Sequence, residues 1–315
     1  MAEAKSIATR LAFGQELARI GGREDIVVMD ADLSCSTMTA LFGKEYPERH
    51  INCGIAEGNM MATAAGLASC GKKVFAASFA MFATGRAYEQ IRNSIGYPAL
   101  NVVVVGSHAG VTVGEDGASH QCVEDVALMR AIPGMTVVSP ADATEAKAAV
   151  RALADYDKPA YLRLSRLAMP VLFDEAEYGE FEIGKGRILQ EGTDVTVIAA
   201  GLLLHEAVKA VDELRAQGVS VRFIDMSTVK PVDEALVIES AQKTGAIVCV
   251  EEHSVIGGLG SAVAEVLAAK RPVPMEIVGV KDKFGCSGKP AELLDLYELS
   301  APHIVARVRD VLARK

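Results

Sequence analysis

The sequence predicts an α/β protein of two successive doubly wound domains, mainly parallel sheets flanked by helices. Three observations carry this. Short apolar, β-branched runs alternate with segments of helical period along the whole chain. Runs such as "NVVVV" at 101–105 are continuously apolar, as in strands covered by helices on both faces of a parallel sheet. The alternation breaks once, at Pro170–Glu182, "PVLFDEAEYGEFE", an acidic connector without a clear period, and then resumes.

The elements follow in order. In the first series, strands are predicted at Ile26–Met29, His50–Ile55, Lys73–Ser78, Leu100–His108, Met135–Ser139 and Ala160–Ser165. Helices are predicted between them at Ser6–Ile20, Glu57–Cys70, Ala80–Ile95, Val123–Ala131 and Ala141–Ala154. The second series runs strand Asp194–Ala200, helix Leu203–Gln217, strand Ser220–Asp225, helix Val232–Lys243 and strand Ala246–Glu251. It closes with helix Gly258–Ala268, strand Met275–Val280 and helix Ala301–Ala313. No short-period repeat or low-complexity tract interrupts either series.

Composition narrows the classes. With 315 residues, half of them hydrophobic, the chain is long enough for two ordinary domains. A net charge of −9 makes it a poor partner for nucleic acid or an anionic membrane, although a local basic pocket remains compatible. Six cysteines (Cys35, Cys53, Cys70, Cys122, Cys249, Cys286) form no Cys-x-x-Cys pair and read as structural thiols of a reduced, cytoplasmic chain. The first 22 residues read as an amphipathic helix without the apolar core and cleavage site of a signal peptide, and no apolar run approaches a membrane span.

In open parallel sheets, ligands bind beyond the carboxyl ends of the strands. The residues placed there are Asp30–Ser36, Gly54–Glu57, Ser78–Phe82, Ser107–Gly110, "GEDGASHQ" at 114–121, and Leu164–Arg166. Each has a plain structural alternative. Glu57 opens a helix, where a carboxylate interacts favourably with the helix N-terminus whatever its function. Phe79, Phe82 and Arg86 are spaced i, i+3, i+7 on one helical face, a pattern common in cores. His108 and His120 are the histidines of these loops, and Arg166 is either a surface charge or an anion clamp.

"GEDGASHQ" packs two carboxylates, two glycines and a histidine into eight residues. It is too short for a calcium loop with alternating oxygen ligands. It has the wrong charge for a phosphate loop and lacks Gly-Lys-Ser/Thr. Asp116 and His120 have no partners at zinc-ligand spacing. On its own chemistry it stays an acid–base and hydrogen-bonding loop or a structural turn. In the second series, Gly257-Gly258-Leu259-Gly260 opens a helix and reads as a tight turn or an anion site.

Six segments occur in one order: "ADLSCS" (31–36), "GIAEGNM" (54–60), "SFAMF" (78–82), "SHAGVTVGEDGASHQ" (107–121), "IPGMTVVSPAD" (132–142) and "LRLSR" (162–166). Together they make the chain resemble the C-terminal half of transketolases, enzymes that depend on thiamine diphosphate. The resemblance implies a pyrimidine-binding domain over residues 1–170, a linker over 171–186 and the transketolase C-terminal domain over 187–315. It implies that Glu57 hydrogen-bonds the cofactor's aminopyrimidine and takes part in its activation. Phe82 resembles the ring that stacks on the pyrimidine, with Phe79 and Asp32 in the same pocket. His120 resembles a catalytic histidine on the donor sugar, and Asp116 the carboxylate that reads a sugar hydroxyl. His108, Arg166 and Ser36 match positions that hold the sugar phosphate, where arginine offers bidentate donors.

Departures from the family pattern accompany the matches. Gly85 stands where many transketolases carry another aromatic, and Gly58 follows the glutamate where bulkier polar residues are common. The further phosphate-binding arginine expected near the start of the domain finds no clear counterpart. Lys5 is a weak substitute, and Arg10 aligns better with another position. The family's Gly-Asp-Gly…Asn motif for diphosphate and Mg²⁺ does not occur in the sequence. The resemblance therefore implies a partner chain that carries this motif, with thiamine diphosphate shared across the interface, Mg²⁺ held by the partner, and an α2β2 assembly acting on sugar phosphates. Competing readings are a deoxyxylulose-phosphate synthase-like half, the β subunit of a 2-oxo-acid dehydrogenase, and a non-catalytic paralogue.

Overall fold

The computed structural model describes residues 6–315; Lys5 and the rest of the first five residues lie outside them. The chain builds β1 (Ser6–Ala8), α1 (Thr9–Ile20), β2 (Ile26–Asp30), α2 (Ser34–Thr37), α3 (Ala40–Glu45), β3 (His50–Asn52), α4 (Glu57–Ser69) and β4 (Lys73–Phe79). It continues through α5 (Tyr88–Gln90), β5 (Val102–Ser107), α6 (Asp125–Ala131), β6 (Thr136–Val138), α7 (Ala143–Ala154), β7 (Ala160–Arg163) and β8 (Ala168–Pro170). The second half comprises β9 (Arg187–Gln190), β10 (Val195–Ala199), α8 (Leu204–Ala216), β11 (Val221–Asp225), β12 (Thr228–Lys230), α9 (Glu234–Thr244) and β13 (Ile247–Ser254). It ends with α10 (Leu259–Lys270), β14 (Met275–Val280), α11 (Pro290–Leu296) and α12 (Ala301–Leu312).

A seven-stranded sheet has the order β12-β6-β7-β5-β4-β2-β3, and a five-stranded sheet the order β14-β13-β10-β11-β9. Within these two sheets all pairings are parallel except those of β12 with β6 and of β9 with β11. The α/β architecture is the predicted one, with helices over both faces. The central strands β2, β4 and β5 are buried along their whole length, which is why they read as unbroken apolar runs. Among the described residues no helix is long and apolar enough to cross a membrane.

Several elements differ from expectation for identifiable reasons. Residues 6–8 extend the chain before α1, because they pair antiparallel with 168–170. β3 stops at Asn52, whose Oδ1 accepts from the amides of Asp32 (3.1 Å) and Gly54 (2.8 Å), with Gly54 at φ +65°. The Ala80–Ile95 helix is interrupted by wide turns at Met81–Arg86 and Ile91–Gly96. There the Thr84 hydroxyl donates to the Ala80 carbonyl at 2.7 Å and competes with the helical ladder. β9, β12, α2, α3 and α11 were not anticipated; the two strands are short and antiparallel, and their partners are distant in sequence.

Where α7, β11 and the connector meet, the Ser227 hydroxyl lies 2.6 Å from Glu145 Oε1 and 3.1 Å from Asp225 Oδ1. The Tyr178 hydroxyl donates to Glu145 at 2.7 Å. Burial, then the neighbouring Glu145, pushes the Asp225 carboxyl well above the usual carboxylate range. The folded chain thus keeps a proton that the unfolded chain gives up near pH ~4. The folded state binds the extra proton, so this group makes stability fall as pH rises above that value. Asp225→Asn removes the decline: urea midpoints between about pH 5 and 7 become flatter than in the native chain. An unchanged slope refutes a proton retained on Asp225 in the folded chain.

Candidate active site

Glu57 is the first residue of α4 and is 1% exposed. Its charge is favourable at a helix N-terminus, but burial demands a specific partner. Arg86 supplies it: one guanidinium nitrogen lies 3.0 and 2.9 Å from the two carboxylate oxygens. The same guanidinium sits 4.7 Å above the centroid of Phe82. The wide turn at Met81–Arg86 aligns these two residues, four apart, on one side.

A ring cluster continues from this point. Phe79 and Phe82 stack at 5.9 Å, and Phe79 stacks on His108 at 3.8 Å. His120 meets both phenylalanines edge-on, at 6.2 and 5.2 Å. Five of the residues singled out in the sequence, from four different loops, therefore meet at one edge of the larger sheet. A cleft of about 470 Å³ opens beside Phe82 and Arg86 and is bordered by Ser119 and Phe284. No aromatic at Gly85 is needed to fill this wall, since a Cβ there meets Met81 Cε at 2.1 Å. At Gly58 the neighbour is the Gln90 amide, 3.3 Å from a Cβ.

β5 ends because His108 adopts φ +55°. The Ser107 hydroxyl lies 2.5 Å from His108 Nδ1. Burial, then the charges of Arg10 and Arg166, lowers His108 to about 3. At neutral pH the ring is uncharged, so positive charge in this corner comes from the two guanidiniums.

No clear counterpart of the family's phosphate-binding arginine stands near the start of the domain in the sequence, yet the fold brings Arg10 to this corner. From the first turn of α1, Arg10 Nη1 donates to the Ser36 carbonyl at 2.5 Å. Among the described residues its buried Nε has no partner. Burial, then Arg166, lowers the Arg10 guanidinium from its ordinary value. Arg166 donates to the Val113 carbonyl at 2.5 Å and stands 3.8 Å from both Glu115 and Asp116. Asp32 stands apart on an exposed turn at φ +61°. The buried acid of that strand end is Asp30, 2.8 Å from His50 Nε2.

"GEDGASHQ" closes a tight turn that the second half of the chain holds in place. Glu252, at the end of β13, accepts from the Thr112 amide at 2.6 Å. Burial pushes Glu252 up to about 7. Gly110, at φ +84°, lies against this carboxyl; a Cβ there is 2.2 Å from Glu252 Cδ. Gln121 Nε2 reaches the carbonyls of Val111 (3.0 Å), Gly114 (3.1 Å) and Cys286 (2.9 Å). Gln121 and the 285–287 loop were not singled out from sequence; Gln121 falls within the motif, but its partner Cys286 is 165 residues away. At the other glycine loop, the Glu251 carboxylate accepts from the amides of Leu259 (2.7 Å) and Gly260 (2.9 Å), so that helix start is capped internally.

A buried acid near stacked aromatic rings at the carboxyl edge of a parallel sheet, with a second parallel-sheet domain bracing the adjoining loop, is a ligand-site arrangement of two-domain α/β proteins. Residues 5–171 match the family described as transketolase, pyrimidine binding domain, and residues 184–304 that described as transketolase, C-terminal domain. The chain belongs to the transketolase family, and corresponds to its C-terminal half. It is 48% identical over 308 residues to a putative transketolase C-terminal section of Methanocaldococcus jannaschii, covering 97% of this chain and 96% of that protein. It is 44% identical to the 6-deoxy-6-sulfo-D-fructose transketolase subunit SqwH of Clostridium sp. (strain MSTE9), covering 92% and 89%. A solved structure described as a split gene transketolase, inactive beta4 tetramer, superposes with a TM-score of 0.89 at 49% identity, covering 98% and 99%.

Proposed function

We propose that this chain is the C-terminal subunit of a split, thiamine-diphosphate-dependent transketolase that moves a two-carbon ketol unit from a ketose phosphate to an aldose phosphate. The observation that carries the reading is Glu57, buried at a helix start and linked through Arg86 to the face of the Phe82 ring. A carboxylate beside an aromatic face fits an aminopyrimidine, which needs a proton partner and a stacking surface. Bound thiamine diphosphate supplies a nucleophilic carbon that can carry the ketol unit.

On this reading Glu57 holds the pyrimidine ring and governs its proton, while Phe82 and Phe79 form the ring pocket. His120 hydrogen-bonds the donor oxygens, Asp116 reads a hydroxyl, and Arg10, Ser36, His108 and Arg166 receive the terminal anion. Asp32, exposed on its turn, lies at the rim. The pyrimidine-binding domain spans residues 1–170, the linker 171–186 and the C-terminal domain 187–315. Among the described residues no group of three or more His, Cys, Asp or Glu is placed to hold a metal ion. We assign Mg²⁺ and the cofactor's diphosphate to an N-terminal subunit with a Gly-Asp-Gly…Asn motif, in a cytoplasmic α2β2 assembly.

The relative named a C-terminal section and the tetramer described as inactive support a dependence on a partner. The test mixes both chains with thiamine diphosphate and Mg²⁺ and screens ketose and aldose phosphates. The panel includes a sulfonate-terminated ketose, because one relative is named for such a sugar. Activity is expected only from the mixture. Turnover by this chain alone overturns the split reading, and an inactive mixture that assembles overturns the catalytic one.

A further inference from the structure

Arg86 has no part in the roles assigned above, although it touches both Glu57 and Phe82. We infer that Arg86 is a self-occupying gate: in the free chain its guanidinium takes the carboxylate and the ring face that the aminopyrimidine must use. The inference rests on the cofactor reading proposed for Glu57 and Phe82.

Glu57 is buried and needs a counter-charge whenever no ligand is present, since an unpaired buried carboxylate is costly. Arg86 meets that need with contacts of 2.9 and 3.0 Å to both oxygens. A hydrogen bond shared with a pyrimidine ring nitrogen uses the same oxygens. A ring stacked on Phe82 needs the face that the guanidinium covers at 4.7 Å. The two occupancies therefore exclude one another. Arg86 is free to leave: its side chain is 54% exposed and borders the cleft beside Phe284. The gate keeps the acid paired and ordered until cofactor arrives, at the expense of affinity. A ligand that must displace a resident group binds more weakly by the stability of that group's contacts.

The test is calorimetric titration of thiamine diphosphate, with Mg²⁺, into this chain assembled with its N-terminal subunit, at about 0.15 M salt to screen long-range charge. Removing the gate with R86A tightens cofactor binding about fivefold, the scale of a half-exposed ion pair. R86K keeps the charge but loses the planar stack, and falls between native and R86A. In an E57Q background the tightening from R86A disappears, because the pair is already broken. Unfolding curves of the isolated variants establish that each is folded before titration. Unchanged or weaker binding by R86A, with the native complex binding normally, overturns the gate and leaves the cofactor reading intact. No binding by an assembled native complex overturns the cofactor reading, and the gate with it.

Discussion

Glu57→Gln lowers the activity of the reconstituted pair by about 10²–10⁴-fold while leaving assembly and folding in place. Glutamine keeps the shape and one acceptor oxygen at the start of α4, but it cannot share a proton with a ring nitrogen. The substitution also removes the charge that Arg86 faces at 2.9 Å, so any change in cofactor affinity separates from the loss of turnover. Steady-state rates at saturating thiamine diphosphate read the catalytic loss, and size-exclusion of the mixture reads assembly. Activity within about tenfold of native rules out proton control by Glu57. A failed assembly moves the residue from chemistry to structure.

Arg10→Ala raises KM for a phosphorylated donor by about one to two orders of magnitude, with a smaller effect on kcat. The guanidinium is half-buried, its Nε has no partner among the described residues, and Arg166 faces it. Two like charges held together favour an anion between them. His108 is neutral there, so it cannot replace the lost charge. Arg10→Lys restores the charge without the fork and recovers part of the loss. A donor without a terminal anion separates the cases: it is insensitive to Arg10→Ala if Arg10 binds the anion. Equal losses for both donors place Arg10 in the support of α1 and Ser36 instead.

Much of the architecture was legible because local physics dictates it. β2, β4 and β5 announce themselves as unbroken apolar runs, buried along their lengths. Helices α7 and α9 carry their own start signals, with Asp142 and Asp233 accepting from Glu145 and Leu236 amides. The region around Ala80–Ile95 read as one helix because its apolar spacing is helical. The wide turns depend on Thr84 and on packing, and spacing does not encode them. Strand β12 was missed because three residues have no period to detect, and its partner β6 lies 90 residues earlier.

The candidate site divides in the same way. Glu57, Phe79, Phe82, His108, His120, Asp116 and Arg166 were visible as chemically capable residues just after strands. Their convergence needed only the rule that strand ends share an edge. Arg10 was set aside because it aligns better with another family position, and its neighbours Ser36 and Arg166 are 26 and 156 positions away, a proximity the sequence does not show. Asp32 drew notice over Asp30, although Asp30 is the one that is buried and paired with His50.

By itself, then, the amino-acid order determined the class of fold, the succession of two α/β units and the chemical types gathered at one sheet edge. Period, capping and strand-end placement are local properties that a single chain carries in its order. The tertiary structure alone decided which charges face each other and what braces "GEDGASHQ". Glu252 holds Thr112, Gln121 reaches Cys286, Arg10 confronts Arg166, and Arg86 covers Glu57. Those pairings join segments far apart in the chain, and their strength comes from burial that only the packed fold provides.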